Sequence, residues 1–452
     1  MKKPPRSHAH SSFSLWGNAR LTAAAMMVLV FASVAASQSI DPAARLFASV
    51  AAETHNKLKL AFESRGRYEI RNGMAFGREP DLATGLIRTR LGAALTPVSW
   101  LKIFGMVQDA RAPWYGPGAP NTVRDAADLH EGYIELFPDY KTGFGMTIGR
   151  MMLNYGDARL IGSPQWGNLA RTYDHVRLYH RSPRAQLELL LVSPVKIRPT
   201  EFNRPVLGDR IWGTYNVFPN FYRKHQMDIY VLRHDQNRPG GFTGPGRLEV
   251  NTFGSRITGP LLLRANYTLE MALQTGKVGP AAHRAGAWFS SVSRRWRPGG
   301  RALDISGEYK YASGTDDPQK PARSHTFDQL YPANHDKFGH EDLFGWRNIH
   351  NTRWVASLAV TSALSVTFMY DNSWLASPRD AVYNGAGRPI VRSATGTVGR
   401  HIGQEADLFA TWRYRHFMLG AGYGRFFSGE FIRRTTPGVG PTYLYIFHTY
   451  SL

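Results

Sequence analysis

LLLRANYTLEMALQ, residues 261–274, is the stretch that decides the fold. In it Leu261, Leu263, Ala265, Tyr267, Leu269, Met271 and Leu273 point one way, while Arg264, Asn266, Thr268, Glu270 and Gln274 point the other. That is the two-residue period of an extended strand with one apolar and one polar face. The same split recurs at 302–311, where Leu303, Ile305, Tyr309 and Tyr311 oppose Asp304, Ser306, Glu308 and Lys310. At 352–360 Trp354, Ala356, Leu358 and Val360 oppose Arg353 and Ser357, and at 404–415 Ala406, Leu408, Ala410, Trp412 and Tyr414 oppose Glu405, Asp407, Thr411, Arg413 and Arg415. A soluble sandwich alternates too, but its strands usually run about five or six residues. These are as long as a tilted strand must be to cross a membrane.

Working outward, the chain is expected to hold eighteen such strands, near 56–71, 86–95, 99–111, 129–136, 143–150, 171–180, 184–193, 209–218, 224–234, 247–258, 261–275, 284–296, 301–312, 350–360, 363–373, 403–413, 417–427 and 442–451. Omitting 209–218 would place the short turns before it on the opposite side from those after it, so topology supports the even count. Connections alternate between short and long, as the periplasmic turns and extracellular loops of outer-membrane barrels do. The fold class is therefore all-β, a transmembrane antiparallel β-barrel of about 18 strands with short periplasmic turns, long extracellular loops and both termini in the periplasm. The longest loops, 313–349 and 374–402, exceed ordinary connection lengths enough to suggest function or infolding. Aromatic residues at strand ends (Trp100, Tyr311, Trp354, Tyr370, Trp374, Trp412) suit interface girdles.

Composition is consistent with this. The chain has 452 residues, 55 basic against 34 acidic side chains and no cysteine, which excludes a disulfide scaffold and a zinc ribbon. Residues 1–36 read as a signal peptide: Lys2, Lys3, Arg6 and Arg20 precede the apolar run Leu21 to Ala36, which ends in small residues. Domains are then 1–36 signal peptide, 37–55 a periplasmic N-terminal segment and 56–452 the barrel. No other segment approaches 18 consecutive apolar residues, which excludes a helical membrane protein. An exported chain with evenly scattered arginine and no basic block is a poor nucleic-acid binder. Acidic glycans and anionic lipids are better partners.

Sequence alone offers no enzyme motif: GxSxG, CxxC, a P-loop and a strand-borne GxGxxG are all missing. Loop 313–349 gathers Asp316, Asp317, His325, Asp328, His335, Asp336, His340, Glu341 and Asp342 without any fixed ligand spacing, so neither an obligate metal nor a cofactor is expected.

The most specific string lies at 149–177: Gly149-Arg150, Tyr155-Gly156-Asp157-Ala158-Arg159-Leu160-Ile161-Gly162, Trp166-Gly167-Asn168 and Arg171-Thr172-Tyr173-Asp174. It resembles the alginate export family of outer-membrane barrels in its Gly-Arg strand end, Tyr-Gly-Asp-x-Arg-Leu loop, Trp-x-Asn and Arg-Thr-Phe-Asp. Asp109-Ala110-Arg111, Ala312-Ser313-Gly314, Thr326-Phe327-Asp328, Trp346-Arg347-Asn348 and Gly403-Gln404-Glu405-Ala406-Asp407 extend the likeness from about residue 56 to the C-terminus. Two departures stand out: Met151-Met152 occupy positions often polar in that family, and the chain ends in Leu452 where such barrels often end in Phe.

The resemblance implies an eighteen-stranded outer-membrane channel for an anionic polysaccharide or oligosaccharide, with outer-membrane lipid and lipopolysaccharide around it and periplasmic export machinery as a candidate partner. Arg150, Asp157, Arg159, Trp166 and Asn168 are its motif residues. From the polar strand faces, the expected lumen residues are Arg88, Arg90, Arg171, Asp174, Arg177, Arg264, Glu270, Arg353, Glu405, Asp407, Arg413 and Arg415. Guanidinium forks suit carboxylates, and Glu270, Glu405 and Asp407 would hold the arginines in place. The competing reading is that such ladders only fill and rigidify the wall. A nutrient-uptake porin for small organic anions, or a barrel enzyme acting on lipid or glycan, are the alternatives.

Overall fold

The computed structural model of the chain describes residues 41–115, 119–137, 142–237, 246–316 and 323–452. The expected signal peptide and Asp317 lie outside these residues. Eighteen long strands form one antiparallel barrel: β1 (Leu58–Asn72), β2 (Leu82–Val98), β3 (Leu101–Arg111), β4 (Asp125–Leu136), β5 (Gly143–Met151), β6 (Tyr173–Arg181), β7 (Gln186–Lys196), β8 (Asp209–Tyr222), β9 (His225–Gln236), β10 (Leu248–Pro260), β11 (Ala265–Val278), β12 (Ala281–Trp296), β13 (Leu303–Ala312), β14 (Ile349–Ala359), β15 (Leu364–Leu375), β16 (His401–Tyr414), β17 (Phe417–Ser428) and β18 (Thr442–Ser451). Every expected strand is present, 209–218 among them. Each pairs with the next, and the first pairs with the last from Glu63↔Ser451 to Asn72↔Thr442. Closure leaves no edge, the condition for strands in lipid, where unpaired backbone groups find no water.

The alternation read from sequence sets the faces. Leu269, Met271 and Leu273 look outward, and Leu273 is half exposed, whereas Glu270, Ala272 and Gln274 are buried inside. Trp354 and Leu408 are likewise outward, while Lys310, Arg353, Glu405 and Asp407 are inward and buried. Trp100, Tyr222, Trp296 and Tyr414 ring the short-turn end, where amphipathic aromatics suit the membrane interface.

Two connections differ from expectation. β10 runs through Pro260, which pairs with Asn266, so the turn falls at Leu261–Arg264 instead of 259–260. Leu261 donates its N–H to the Ala265 carbonyl, and Leu263 and Arg264 have positive φ. A two-residue turn at Gly279-Pro280 joins β11 to β12 where a longer loop was expected, Gly279 supplying a φ of 58°.

The principal apolar core lies inside the barrel between infolded loops. Leu160 and Ile161 pack with Phe327, Leu330, Phe338, Phe344 and Trp346. Because the outer wall faces lipid, water can be excluded from apolar side chains in the bore only by packing loops there. At the short-turn end a helix, α1 (Asp41–Glu53), precedes and packs against β1.

Candidate functional site

Residues 152–172, between β5 and β6, form a strap that crosses the bore. Near one end Asp157 accepts from Arg256 of β10 at 2.7 Å, and the Arg159 guanidinium lies 3.3 Å from the ring centre of Phe289 on β12 and 4.0 Å from Glu270 on β11. Further along, Asn168 is buried and donates to the carbonyls of Ile87, Arg111 and Val123 at 3.3, 3.1 and 2.8 Å. The walls so joined, β10–β12 and β2–β3, lie close to half the circumference apart in the strand order.

Four wall arginines grip the strap beside Asn168. Arg65 donates to the carbonyls of Gln165 and Gly167, both at 2.8 Å, and Arg88 to the same two oxygens at 3.2 and 3.1 Å. Arg67 donates to the carbonyl of Trp166, and Arg90 to the Gln165 side chain at 3.0 Å. All four are buried. The carboxylates touching them are Glu63, 2.7 Å from Arg88, and Glu69, 2.6 Å from Arg67. Trp166 stacks on His335 at 4.6 Å and 6°, with the Arg67 guanidinium 4.1 Å from its ring centre.

The strap is tied to a second infolded segment. Across a parallel bridge at Ile161↔Tyr331, Gly162 donates its backbone N–H to the Tyr331 carbonyl, Tyr331 donates to the Leu160 carbonyl, and Ala333 donates to Ala158. A Cβ on Gly162 would sit 2.7 Å from Ala158 and from the Ala333 nitrogen, so only glycine permits this approach. The second segment is pinned to the wall at two points. His234 lies between Asp328, 2.6 Å from Nδ1, and Asp209, 3.2 Å from Nε2. The backbone N–H groups of His340 and Glu341 donate to Asp407 and Glu405 at 3.2 and 2.9 Å.

Two cavities flank the strap. One of about 500 Å³ is lined by Arg67, Arg71, Tyr115, Trp166, Arg171, His335, Asp342 and Asn384. The other, about 390 Å³, is lined by Tyr155, Arg177, Glu188, Tyr215, Asp228 and Arg256.

The residues expected along the lumen thus separate. Arg88, Arg90, Arg177, Glu270, Arg353, Glu405 and Asp407 stand on the inner wall, and Arg171 on the strap, donating to the carbonyls of Gly162 and Pro332. Asp174 does not face the lumen. Its neighbours Tyr173, His175 and Arg177 point in, so Asp174 points out and pairs across strands with Arg150 at 2.7 Å, under Asn203. Arg264 and Arg415 occupy exposed turns, and Arg413, the last residue but one of β16, is exposed beside the second turn. Glu405 and Asp407 hold loop backbone instead of arginine, while Arg353 is matched by Asp371, its Nε 3.0 Å from both oxygens.

The motif residues Asp157, Arg159, Trp166 and Asn168 are the strap's anchors. Sequence reasoning missed Arg65, Arg67 and the Asp209–His234–Asp328 bridge. Glu63, Arg65, Arg67, Glu69 and Arg71 share one face at a period of two, a signal strong enough to have found the arginines.

The sequence model of the alginate export family matches residues 56–445. No curated protein matches the chain. Among solved structures it is similar to Pseudomonas aeruginosa OccK11 (OpdR), with a TM-score of 0.59 at 12% identity over 87% of this chain and 96% of that one. It is also similar to P. aeruginosa OpdK solved with vanillate, with a TM-score of 0.59 at 10% identity over 87% and 98%. A third neighbour, P. aeruginosa OccD3 (OpdP), gives a TM-score of 0.57 at 12% identity over 87% and 91%. At these identities the likeness is one of fold.

Proposed function

The chain belongs to the alginate export family and is an outer-membrane β-barrel channel, and from that premise we propose that it passes an anionic polysaccharide or acidic saccharides through an arginine-lined bore. The observation that carries this reading is the concentration of Arg65, Arg67, Arg71, Arg88, Arg90 and Arg171 around the strap and the 500 Å³ cavity beside it. Cationic groups in a confined, poorly screened path raise the local concentration of anions, and the guanidinium fork matches a carboxylate. Glu69, Asp342 and the Asn384 side chain interrupt the positive wall, keeping binding weak enough for release, as conduction requires.

On this reading there is no chemical step and no cofactor. Partners are the anionic saccharide, outer-membrane lipid and lipopolysaccharide around the apolar belt, and periplasmic export machinery at the short-turn end. A second reading, a porin for small organic anions, is favoured by cavity size, since about 390 and 500 Å³ are small-molecule dimensions. Planar-bilayer conductance separates the readings. An oligouronate that modulates current where a neutral oligosaccharide of equal length does not supports the first. Passage of small carboxylates with indifference to oligouronates supports the second, and indifference to all anions rejects both.

A further inference from the structure

We propose that the guanidiniums of Arg65, Arg67, Arg88 and Arg90 form a carboxylate-binding site that the resting barrel fills with its own strap, so that a carboxylate-bearing ligand opens the bore by displacing it. This rests on the anion-channel reading. The acceptors the strap supplies to the site are neutral, the carbonyls of residues 165–167 and the Gln165 side-chain amide, whereas Glu63 and Glu69 meet Arg88 and Arg67 from the wall. A carboxylate in their place would add the attraction of opposite charges to bonds whose donor is already ionised, and would accept bidentately.

The cluster also has donors to spare. Arg65 Nε and Arg90 Nη2 are buried without a hydrogen-bond acceptor among the described residues. Its contacting carboxylates are fewer than its guanidiniums, and Glu69 is further shared with Arg71 and the Tyr443 hydroxyl. The 500 Å³ cavity, which reaches Arg67, Trp166 and Gly167, gives an anion a route to the clasp.

What must move is short. Ser163 is fixed by bonds with Leu153 and Asn154, and Asn168 by its three carbonyl acceptors. Between them only the bight Pro164–Gly167 meets the arginines, and it can lift without unthreading the rest of the strap.

The native chain has no cysteine, so Gln165→Cys carries a single nitroxide in the full-length barrel refolded into lipid. Trigalacturonate, titrated at constant ionic strength, should convert the label from an immobile to a mobile spectrum, and maltotriose should not. Arg88→Gln should weaken the response at least tenfold, and Arg65→Gln with Arg88→Gln should leave the label mobile without ligand. Should that pair fail to assemble by heat-modifiable migration, Arg65→Lys with Arg88→Lys retains the charge, loses the fork, and should mobilise the label equally. A label that stays rigid while trigalacturonate modulates bilayer current overturns the displacement and leaves the anion channel standing. A rigid label with no effect on current removes both.

Discussion

Arg65 and Arg88 face each other directly across β1 and β2, two like charges in register, and both donate to the same two carbonyl oxygens, those of Gln165 and Gly167. Opposed like charges are unfavourable in a sheet, so the shared acceptors and Glu63 must offset the repulsion. Arg65→Met keeps the aliphatic stem, relieves the repulsion and deletes two hydrogen bonds from a charged donor, each worth about 1.5–3 kcal/mol. The expected net effect is a loss of about 2 kcal/mol in urea unfolding of the lipid-reconstituted barrel. A variant as stable as the parent would mean that the clasp contributes nothing to the resting fold.

Arg353 and Asp371 make the opposite case, a matched buried pair in which each partner is nearly inaccessible. Breaking such a pair strands a charge and costs about 3–5 kcal/mol. Arg353→Gln should therefore lower the unfolding midpoint sharply, and Asp371→Asn should do the same. Arg413→Glu, on an exposed strand end, should change stability by no more than about 0.5 kcal/mol. Equal effects at 353 and 413 would contradict the assignment of one to the wall and the other to the rim.

That contrast marks what could be read in the sequence. Period-two alternation fixed the strands and the in–out sense of Glu270, Lys310, Arg353 and Glu405, because lipid outside and water inside impose the pattern residue by residue. It could not distinguish a lumen arginine from one at or beyond the strand end, since Arg264 and Arg413 keep the inward parity while the first lies in a turn and the second is exposed at the end of its strand. Asp174 was misplaced because its motif spans a loop-to-strand junction, where parity has no anchor. The strap was visible only as a motif. Its path across the bore depends on contacts such as Arg65–Gln165, a hundred residues apart in sequence, which no local period encodes.

The opening stretch supplies its own stability test. Leu269 faces lipid on β11, whereas Leu263, of the same sequence parity, lies exposed in the turn. Leu269→Arg should cost roughly 2–4 kcal/mol if near the bilayer midplane, and Leu263→Arg about 0–1 kcal/mol at the interface. Urea titration of both variants checks this. Similar costs would return residues 261–264 to the strand.

Docking of the second infolded segment should depend on pH through Glu341. Burial, and then the neighbouring Asp407 charge, push its carboxyl up to about 8, against the opposing pull of Arg71 and Arg425; Glu405 accepts the Glu341 backbone N–H on the same side. A released Glu341 would titrate near 4.3. Below about 4 both states are protonated and docking is strongest. As pH rises to about 8 the released loop ionises while the docked one does not, so docking weakens across that window and levels off above it. A nitroxide at His335→Cys should become more mobile from pH 5 to pH 8, and Glu341→Gln should flatten the curve. Mobility that falls with pH would reverse the sign and reject the role.

Ion selectivity tests the arginines that line the open cavity apart from the clasp. Arg71 and Arg171 both face the 500 Å³ space beside Trp166, where few water molecules separate a passing ion from the wall and screening is weaker than in bulk. The parent channel should prefer anions in a salt gradient. Replacing either residue by Glu reverses one charge into its opposite and should move the reversal potential toward cation permeability, whereas Arg413→Glu at the exposed rim should move it less, because solvent ions screen that position. Raising ionic strength from 0.1 to 1 M shortens the screening length from about 10 Å to about 3 Å. The Arg413→Glu effect should then vanish first, and the cavity effects should shrink but persist. A parent channel without anion preference, or one in which the rim variant shifts the potential as far as Arg171→Glu, would place the selective charge away from this cavity and remove the physical basis for an anionic substrate.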